Sequence, residues 1–531
     1  MTSPPTKQRV QQRCVFYLSG FDPRGGRYYH SLYQKEALLR PAEAISHLEV
    51  GRRTFSDGTL CWAVTSTQKK STHHEHPNQA PTTQTESCTA RTGSSVAQIE
   101  SSTTHIKPCV TQTELSTTNT EFNFLSWDDI VRKHWPTGRL KHWLAYLQQT
   151  TTYLLGGFFG KPWLFGPQSK DALLPAAGLL FFPNILIVGT LLAMVLSACL
   201  TFGLMLQAAQ PAWLAGLVSL LPAWGFWSWA HRYEASHDLG WIMRSYAFTA
   251  RQSKGEVPEL EARLTDFAQQ LIARARQNRD DEILVIGHSS GAVMAVAVMA
   301  RALALCPELP SLKAKLGLLT LGQCLPMLGW LPGANTFRAE LRTLAHAKGL
   351  FWVDISAPSD RCCVAMLDPY TVCSVEPAPN QQGSQFLAVN PLFHEVFADQ
   401  SYHALKKNAF QLHFQYLKAP PAAGAFDYFD ISAGDLSLTD RFSGQILLPL
   451  PKDFKAQTYL RLNPDLKLSE TEALHHYRQH GARENRAYRL VLPADFDATT
   501  YLMLNQDVAA AKVDAEVHYV QHGQFENRRY Q

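Results

Sequence analysis

From Ala172 to His231 the chain carries no Asp, Glu, Lys or Arg, and an uncharged span of that length restricts its folding more than any other feature. A helix rises about 1.5 Å per residue, so the apolar run Leu179 to Leu206 is long enough to cross a hydrocarbon layer of about 30 Å. A second apolar stretch, Ala212 to Ala230, follows the break Gln207-Ala208-Ala209-Gln210-Pro211. Helices of a soluble core normally keep a polar face, and neither stretch has one. The pair reads as a transmembrane helical hairpin over residues 179–230, with the lipid bilayer as its partner. Trp213, Trp224, Trp227 and Trp229 suit an interfacial belt. Arg132, Lys133, Lys161 and Lys170 precede the hairpin, and Arg232, Arg244, Arg251 and Lys254 follow it. Basic flanks stay inside, so both flanks and both termini are expected in the cytoplasm.

The rest of the chain excludes several classes. A net charge of +4 with 18% charged residues leaves no basic excess to neutralise a run of phosphates, so no nucleic-acid partner is expected. Hydrophobic residues at 46% are ample for buried cores. The ten cysteines are scattered without CxxC or zinc-ligand spacing, which reads as reduced thiols and not as a disulfide framework. Met1 to Arg13 is polar with no apolar run behind it, so no secretory signal is expected. Residues 69–120 collapse into Ser, Thr, Gln and His and are expected to form a disordered insertion, because so few apolar groups cannot offset ordering entropy. His73-His74-Glu75-His76 within it could ligate a metal weakly, but a solvated polar tract is the better reading, and no metal site is expected.

Val15 to Phe21 is an apolar run of strand length, ended by Asp22-Pro23-Arg24-Gly25-Gly26 and followed by a helix-like stretch from Tyr28 to Leu39. Leu48 to Thr54 and Leu60 to Thr65 are expected to pair as strands. Phe122 to Trp135 reads as an amphipathic helix with Ser126 as its N-cap. Glu282 to Gly287 reads as a buried strand and Gly291 to Leu305 as an apolar helix, with Gly287-His288-Ser289-Ser290-Gly291 between them. This is a G-x-S-x-G pentapeptide at a strand-to-helix junction. A sharp turn there lifts the Ser289 hydroxyl to the carboxyl edge of the sheet, and side chains at Gly287 or Gly291 would clash with the neighbouring elements. His288 reads as a packing or substrate-facing residue.

At these residues the chain resembles the α/β-hydrolase superfamily, particularly its lipase and esterase branch, over about residues 14–65 and 122–440. It is also similar to a group of little-characterised bacterial membrane hydrolases that share LTLGQ (Leu319 to Gln323), APSD (Ala357 to Asp360) and HFQYL (His413 to Leu417). The resemblance implies an α/β fold: a hydrolase sheet flanked by helices, built from residues 14–68 and 231–440. A helical connection (121–178) and the inserted hairpin lie between these parts, and the location implied is a bacterial inner membrane. It also implies triad chemistry in the order Ser, acid, His, which needs no cofactor.

A serine hydroxyl needs an adjacent base, itself oriented by an acid. Lys315 to Gly322 and Gly349 to Ile355 read as the next strands. Asp360 follows the second and is the favoured acid, with Asp354 and Asp368 as alternatives. His394, His403 and His413 all follow the acid. His413 is favoured as base for its HFQYL setting and its H-x-x-Y spacing to Tyr416. The oxyanion donors expected are the N–H of Ser290 and that of Phe21 or Gly20.

Residues 449–531 hold a duplication: Tyr459, Asn463, Asp465, His476, Gly481, Glu484 and Arg486 recur 42 positions later as Tyr501, Asn505, Asp507, His518, Gly523, Glu526 and Arg528. It resembles the Y-L-x-x-N-P-D-V and H-Y-x-x-x-G-x-x-E-G-R repeats of bacterial surface and glycan-related proteins, with Asn485 and Asn527 in place of the usual glycine. That resemblance implies a protein or glycan partner. Each unit is expected to form two short helices in an all-α module. The whole chain is expected to be a membrane-anchored serine hydrolase cleaving an ester of a small molecule or lipid. The alternative is an inactive hydrolase-fold scaffold that recruits partners. A transporter is disfavoured, because two spans without intramembrane charge offer no ion or substrate pathway.

Overall fold

The computed structural model describes residues 9–41, 45–56, 58–69, 115–136, 138–156, 167–376, 383–422, 424, 426–442, 451, 453–466, 468–482, 484 and 486–531. Successive residues of a strand face opposite sides of a sheet, and strand β1 (Gln12–Leu18) is buried on both. It lies between β5 (Leu115–Phe124) and β6 (Glu282–His288), parallel to each. Strands β7 (Lys315–Leu321), β8 (Leu350–Ile355) and β9 (Gln385–Val389) extend the parallel set. On the other side β4 (Thr59–Lys69) runs antiparallel to β5 and pairs with β2 (His47–Val50) and β3 (Thr54–Ser56). The order is β2-β4-β5-β1-β6-β7-β8-β9, with β3 beside β4. The protein is therefore of the α/β class, a mixed sheet flanked by helices.

The helices that position the site are α1 (Gly26–Leu39), α2 (Asp128–Lys133), α3 (Arg139–Leu155), α4 (Pro167–Gln207), α5 (Ala212–Ser236), α6 (Leu239–Ser253), α7 (Pro258–Arg276) and α8 (Ser290–Leu305). Cys14, Phe16 and Leu18 of β1 share one core with Ile283, Val285, α7 and α8. Val15 and Tyr17 share the other with Leu284, Ile286 and Tyr29 and Tyr33 of α1. The chain thus leaves β1 toward one face and neighbouring β6 toward the other, which opens a crevice at their carboxyl ends. At the opposite end Arg13 and Glu282 form a fully buried ion pair of 2.6 Å. Arg13 also donates to the carbonyls of Gly434 and Leu436, and Glu282 accepts from Leu438 N–H. With every hydrogen-bonding group satisfied, a pair of this kind pins segment 434–438 under the sheet.

Several sequence expectations change. Lys69 ends β4 and Leu115 begins β5, pairing with each other, so both borders of the expected 69–120 insertion are strand. The His73–His76 cluster lies outside the described residues. Phe122 to Phe124 belong to β5, so the expected helix over 122–135 becomes a strand end followed by short α2, and the expected helical connection over 121–178 opens on β5 before α2, α3 and the start of α4. The N-cap of α2 is Trp127, and Ser126 instead donates to the Asp128 carboxylate. The strands expected at 48–54 and 60–65 do pair, with the first divided into β2 and β3, both antiparallel to β4.

The span Leu180–Gln207 of α4 is long and apolar enough to cross a membrane, with mean hydropathy 2.5 and only 11% of its most apolar window buried. Helix α5 packs along α4 through small residues, Ala215 and Ser219, while Trp213, Leu220, Trp224 and Trp229 are exposed. The helices outrun the expected 179–230 borders, starting at Pro167 and ending at Ser236. Trp227 is held against Trp143 and the Arg139 guanidinium, 5.1 and 4.3 Å away. At the foot of α5 the buried Glu234 accepts from Trp143 Nε1 at 3.2 Å and lies 3.6 Å from both Arg139 and His142. This ties the apolar hairpin to the globular part.

The C-terminal residues repeat their contacts at the 42-residue offset. Tyr459 pairs with His476 and Tyr501 with His518, each O···Nδ1 distance being 2.9 Å. The Asn463 amide donates to the Tyr459 and Ala487 carbonyls, as Asn505 does to those of Tyr501 and Arg529. Arg486 joins Asp465 and Glu484, as Arg528 joins Asp507 and Glu526. A Cβ on Gly481 or Gly523 would overlap the hydroxyl of Tyr459 or Tyr501. The first half has helices Ala456–Leu462 and Glu470–His476; the second has Ala498–Leu504 and Ala515–His518 but adds Gln506–Ala510, one more than expected. Leu462 of one half packs on Val517 and Val520 of the other. Tyr459→Phe and Tyr501→Phe each delete one such hydrogen bond and should each cost about 1 kcal/mol. Hydrogen exchange of the local amides in the full chain is the measurement, and the two losses should match.

Candidate active site

Strand β6 ends on His288 and α8 begins on Ser290, leaving Ser289 to make the whole turn with φ 60° and ψ −127°. That conformation is strained for a residue with a side chain. It is held because the neighbours fit only glycines. A Cβ on Gly287 would sit 2.6 Å from the Cα of Ala292, and one on Gly291 would sit 2.6 Å from the Ser19 carbonyl and overlap that of Leu18. The Ser289 N–H donates to the Leu321 carbonyl at 2.9 Å, which continues the β6–β7 ladder into the turn.

The loop after β1 closes over this turn. A Cβ on Gly20 would lie 3.0 Å from Ser289 Cβ and 3.4 Å from its Oγ, so the backbone passes directly beside the hydroxyl. The Ser19 and Phe21 carbonyls are taken by indole N–H groups of Trp127 and Trp241, at 3.0 and 2.7 Å. The N–H groups of Gly20, Phe21 and Ser290 donate to no acceptor among the described residues. Asp22 braces the loop by accepting from Arg24 and from the Tyr29 hydroxyl. The Arg24 guanidinium lies over Tyr28, Trp241 and Phe414 at 3.8, 4.9 and 5.1 Å from their ring centres.

After β8 the chain turns through Ala357 to Asp360, and the buried Asp360 carboxylate meets His413 at 2.7 Å from Nδ1. Its Oδ2 also accepts from the Tyr416 hydroxyl at 3.1 Å, and its Oδ1 from Cys362 N–H at 2.9 Å. Tyr416 in turn accepts from Ala357 N–H at 2.8 Å. Burial pushes the Asp360 carboxyl up, but the attraction and hydrogen bond of His413, with those of Cys362 and Cys363, outweigh it and hold the group below its ordinary value. Gly322, at φ 53°, makes room for the pair: a Cβ there would stand 2.7 Å from the Tyr416 ring and 3.1 Å from His413 Cε1.

With Nδ1 on Asp360, His413 keeps a buried Nε2 that has no partner among the described residues. That imidazole lines one cleft with Ser289, Ser290, Gly20 and Phe21. The cleft encloses about 550 Å³ including its open mouth, and its other walls are mostly apolar: Trp241, Ile242, Tyr246, Phe410 and Phe414. The His288 ring packs 4.8 Å from the His413 ring, and its Nε2–H donates to the His413 carbonyl at 2.9 Å. Burial, aided by His413, pushes His288 down to about 3, so it stays neutral and positions the His413 backbone.

The other sequence candidates lie elsewhere. Asp368 caps the short helix Pro369–Val372. His394 is exposed beside Glu395, and His403 lies within the helix Asp399–Lys407. Asp354 is buried between the Thr320 and Ser356 hydroxyls, each 2.7 Å away. Asp360, Cys362 and His413 present potential metal ligands within 4.8 Å of one another. The carboxylate and Nδ1 are already engaged with each other, and burial beside Asp360 pushes the Cys362 thiol far up. The sequence reading missed Trp241, Ser245 and Tyr246, which reach the cleft from α6, and the bracing by Arg24. No family model, curated protein or solved structure matches the chain.

Burial pushes the Asp354 carboxyl up to about 7 despite its two hydroxyl donors. Between about pH 4 and that value the native state holds a proton that the unfolded chain has released, so this residue's share of stability falls as pH rises and is lost above about 7. Asp354→Asn should therefore flatten the pH dependence of thermal stability over that interval, as read by melting temperatures at fixed ionic strength.

Proposed function

We propose that the protein is a membrane-anchored serine hydrolase of the α/β-hydrolase type, cleaving an ester or related acyl bond. The observation that carries this reading is the strained Ser289 in one cleft with an imidazole whose Nδ1 is fixed by a buried carboxylate and whose Nε2 is free. His413 takes the Ser289 proton through Nε2 as the hydroxyl attacks the acyl carbon, and later returns it to the leaving oxygen. Asp360 holds the imidazole in the tautomer that leaves Nε2 basic and stabilises the imidazolium. Tyr416 acts as a positioning residue on Asp360. The unengaged N–H groups of Ser290 and of Gly20 or Phe21 suit the developing oxyanion. Water then repeats the attack on the acyl-enzyme, with the same base.

The anchor in this reading is two-pass. Leu180–Gln207 meets the length and apolarity required of a span. Its neighbour α5 packs on it, lacks charge before Arg232 and exposes tryptophans. The basic residues on both sides support cytoplasmic flanks. The repeated C-terminal halves carry none of the triad residues and serve as a separate partner-binding module.

Ser289→Ala should abolish turnover of a short-chain aryl ester while changing stability by about 1 kcal/mol or less, since a small hydroxyl is lost. Tyr416→Phe should lower kcat about tenfold with KM little changed, because one charge-assisted bond to Asp360 is lost. Near-normal turnover by Ser289→Ala would refute the mechanism. A folded wild type that turns over no ester would favour a binding scaffold on the same fold.

A further inference from the structure

A second cavity, of about 1210 Å³ including its mouth, opens where the hairpin enters the globular part. Phe182 of α4 and Tyr233 of α5 form one wall, and Arg361, Lys407 and His237 stand on others. No Asp or Glu is among its described lining residues. Neither Arg361 nor Lys407 forms an ion pair with a described residue, whereas neighbouring Lys406 lies 5.4 Å over the Tyr402 ring. The cavity is thus cationic on one side and apolar on the side of the exposed span.

It also backs onto the Ser289 cleft. Ile242 lines both cavities. Arg361 faces the second while the next residue, Cys362, faces the first, and Ala409 and Phe410 divide in the same way. The partition between the two cavities therefore includes the Ile242 side chain and the backbone at 361–362 and 409–410. On α5, Tyr233 stacks on His237 at 4.2 Å and lies 5.6 Å from Trp229, an aromatic column that runs from the exposed apolar surface to the cavity.

We propose that this cavity receives the anionic phosphate headgroup of a membrane phospholipid, and that such lipids are the substrate class. Arg361 and Lys407 hold the phosphate by charge-assisted hydrogen bonds. Ile242 guides the ester toward Ser289, and the acyl chain lies among Trp241, Phe410 and Phe414. The substrate then enters sideways from the bilayer beside α4 and α5. The substrate assignment rests on the hydrolase reading above; the headgroup site does not.

Two measurements on the full chain in nanodiscs separate these claims. The first compares hydrolysis of phosphatidylglycerol with that of phosphatidylcholine of the same acyl chains. The wild type should prefer the anionic lipid by about tenfold, because both lipids offer the same phosphate to Arg361 and Lys407 but the choline ammonium of phosphatidylcholine is repelled by them, and Lys407→Glu and Arg361→Gln should each collapse that preference. The second measures lipid retained by Ser289→Ala protein using native mass spectrometry. Selective retention of phosphatidylglycerol, reduced by Lys407→Glu, supports the headgroup site even if no lipid is hydrolysed, in which case the hydrolase reading alone falls. Equal retention of both lipids overturns the site. Displacement of the lipid by inorganic phosphate at equal concentration would mark a soluble-anion site and overturn the lipid assignment.

Discussion

The close approach of α8 to β1 is the constraint on which the rest of the structure depends. Gly291 lies against the Leu18 and Ser19 carbonyls, and Gly287 against the first turn of α8. Only with both glycines can β6 turn into α8 within one residue, and only then is Ser289 driven to positive φ. The same approach brings the loop after β1 beside the serine, so that Gly20 lies within contact of its side chain. Parallel pairing of β1, β6, β7 and β8 sets the loops after them on one edge of the sheet. Asp360, Gly322 and Ser289 all leave from that edge, and His413 needs only to pack down on it.

Hydrophobicity does two different things in this chain, and exposure separates them. Helix α8 is as apolar as the membrane candidate, yet nearly every residue in it is buried between the sheet and α7. The span in α4 is apolar and mostly uncovered, which in water would be an aggregation surface. The hairpin is fastened by polar and aromatic contacts at its foot and not by a broad core. Glu234, which faces Arg139, His142 and Arg244, is the centre of that fastening, with Gly240 packed so closely that a Cβ would come within 2.8 Å of the carboxylate. The cavity lined by Phe182, Tyr233, Arg361 and Lys407 opens beside this joint.

The sequence was most legible where residue type alone dictates geometry. The glycines and serine of the pentapeptide could be read from residue type, whereas Asp360 and His413 are favoured over Asp354, Asp368, His394 and His403 by their settings after a buried strand and three residues before Tyr416. The structure brings Asp360 and His413 into contact and sets the His413 ring in one cleft with Ser289. Strand β5 was not legible. Its first half, Leu115 to Thr120, hides in a polar tract, although Thr118 and Thr120 are buried and the Thr118 hydroxyl donates to the Val10 carbonyl at 2.8 Å. Its last residues, Phe122 to Phe124, then looked like the start of the following helix. The cleft walls from α6 were equally hidden, since Trp241, Ser245 and Tyr246 read as one face of an ordinary amphipathic helix until the fold shows what that face meets.

The most direct test of the central claim, that Ser289 is a nucleophile activated by His413, is to treat the full-length protein with a fluorophosphonate and locate the adduct by mass spectrometry of its peptides. The account predicts a single phosphonylated residue, Ser289, and loss of that adduct in His413→Ala protein that remains folded. An adduct on another serine, or a folded wild-type protein that takes up no probe, would contradict it.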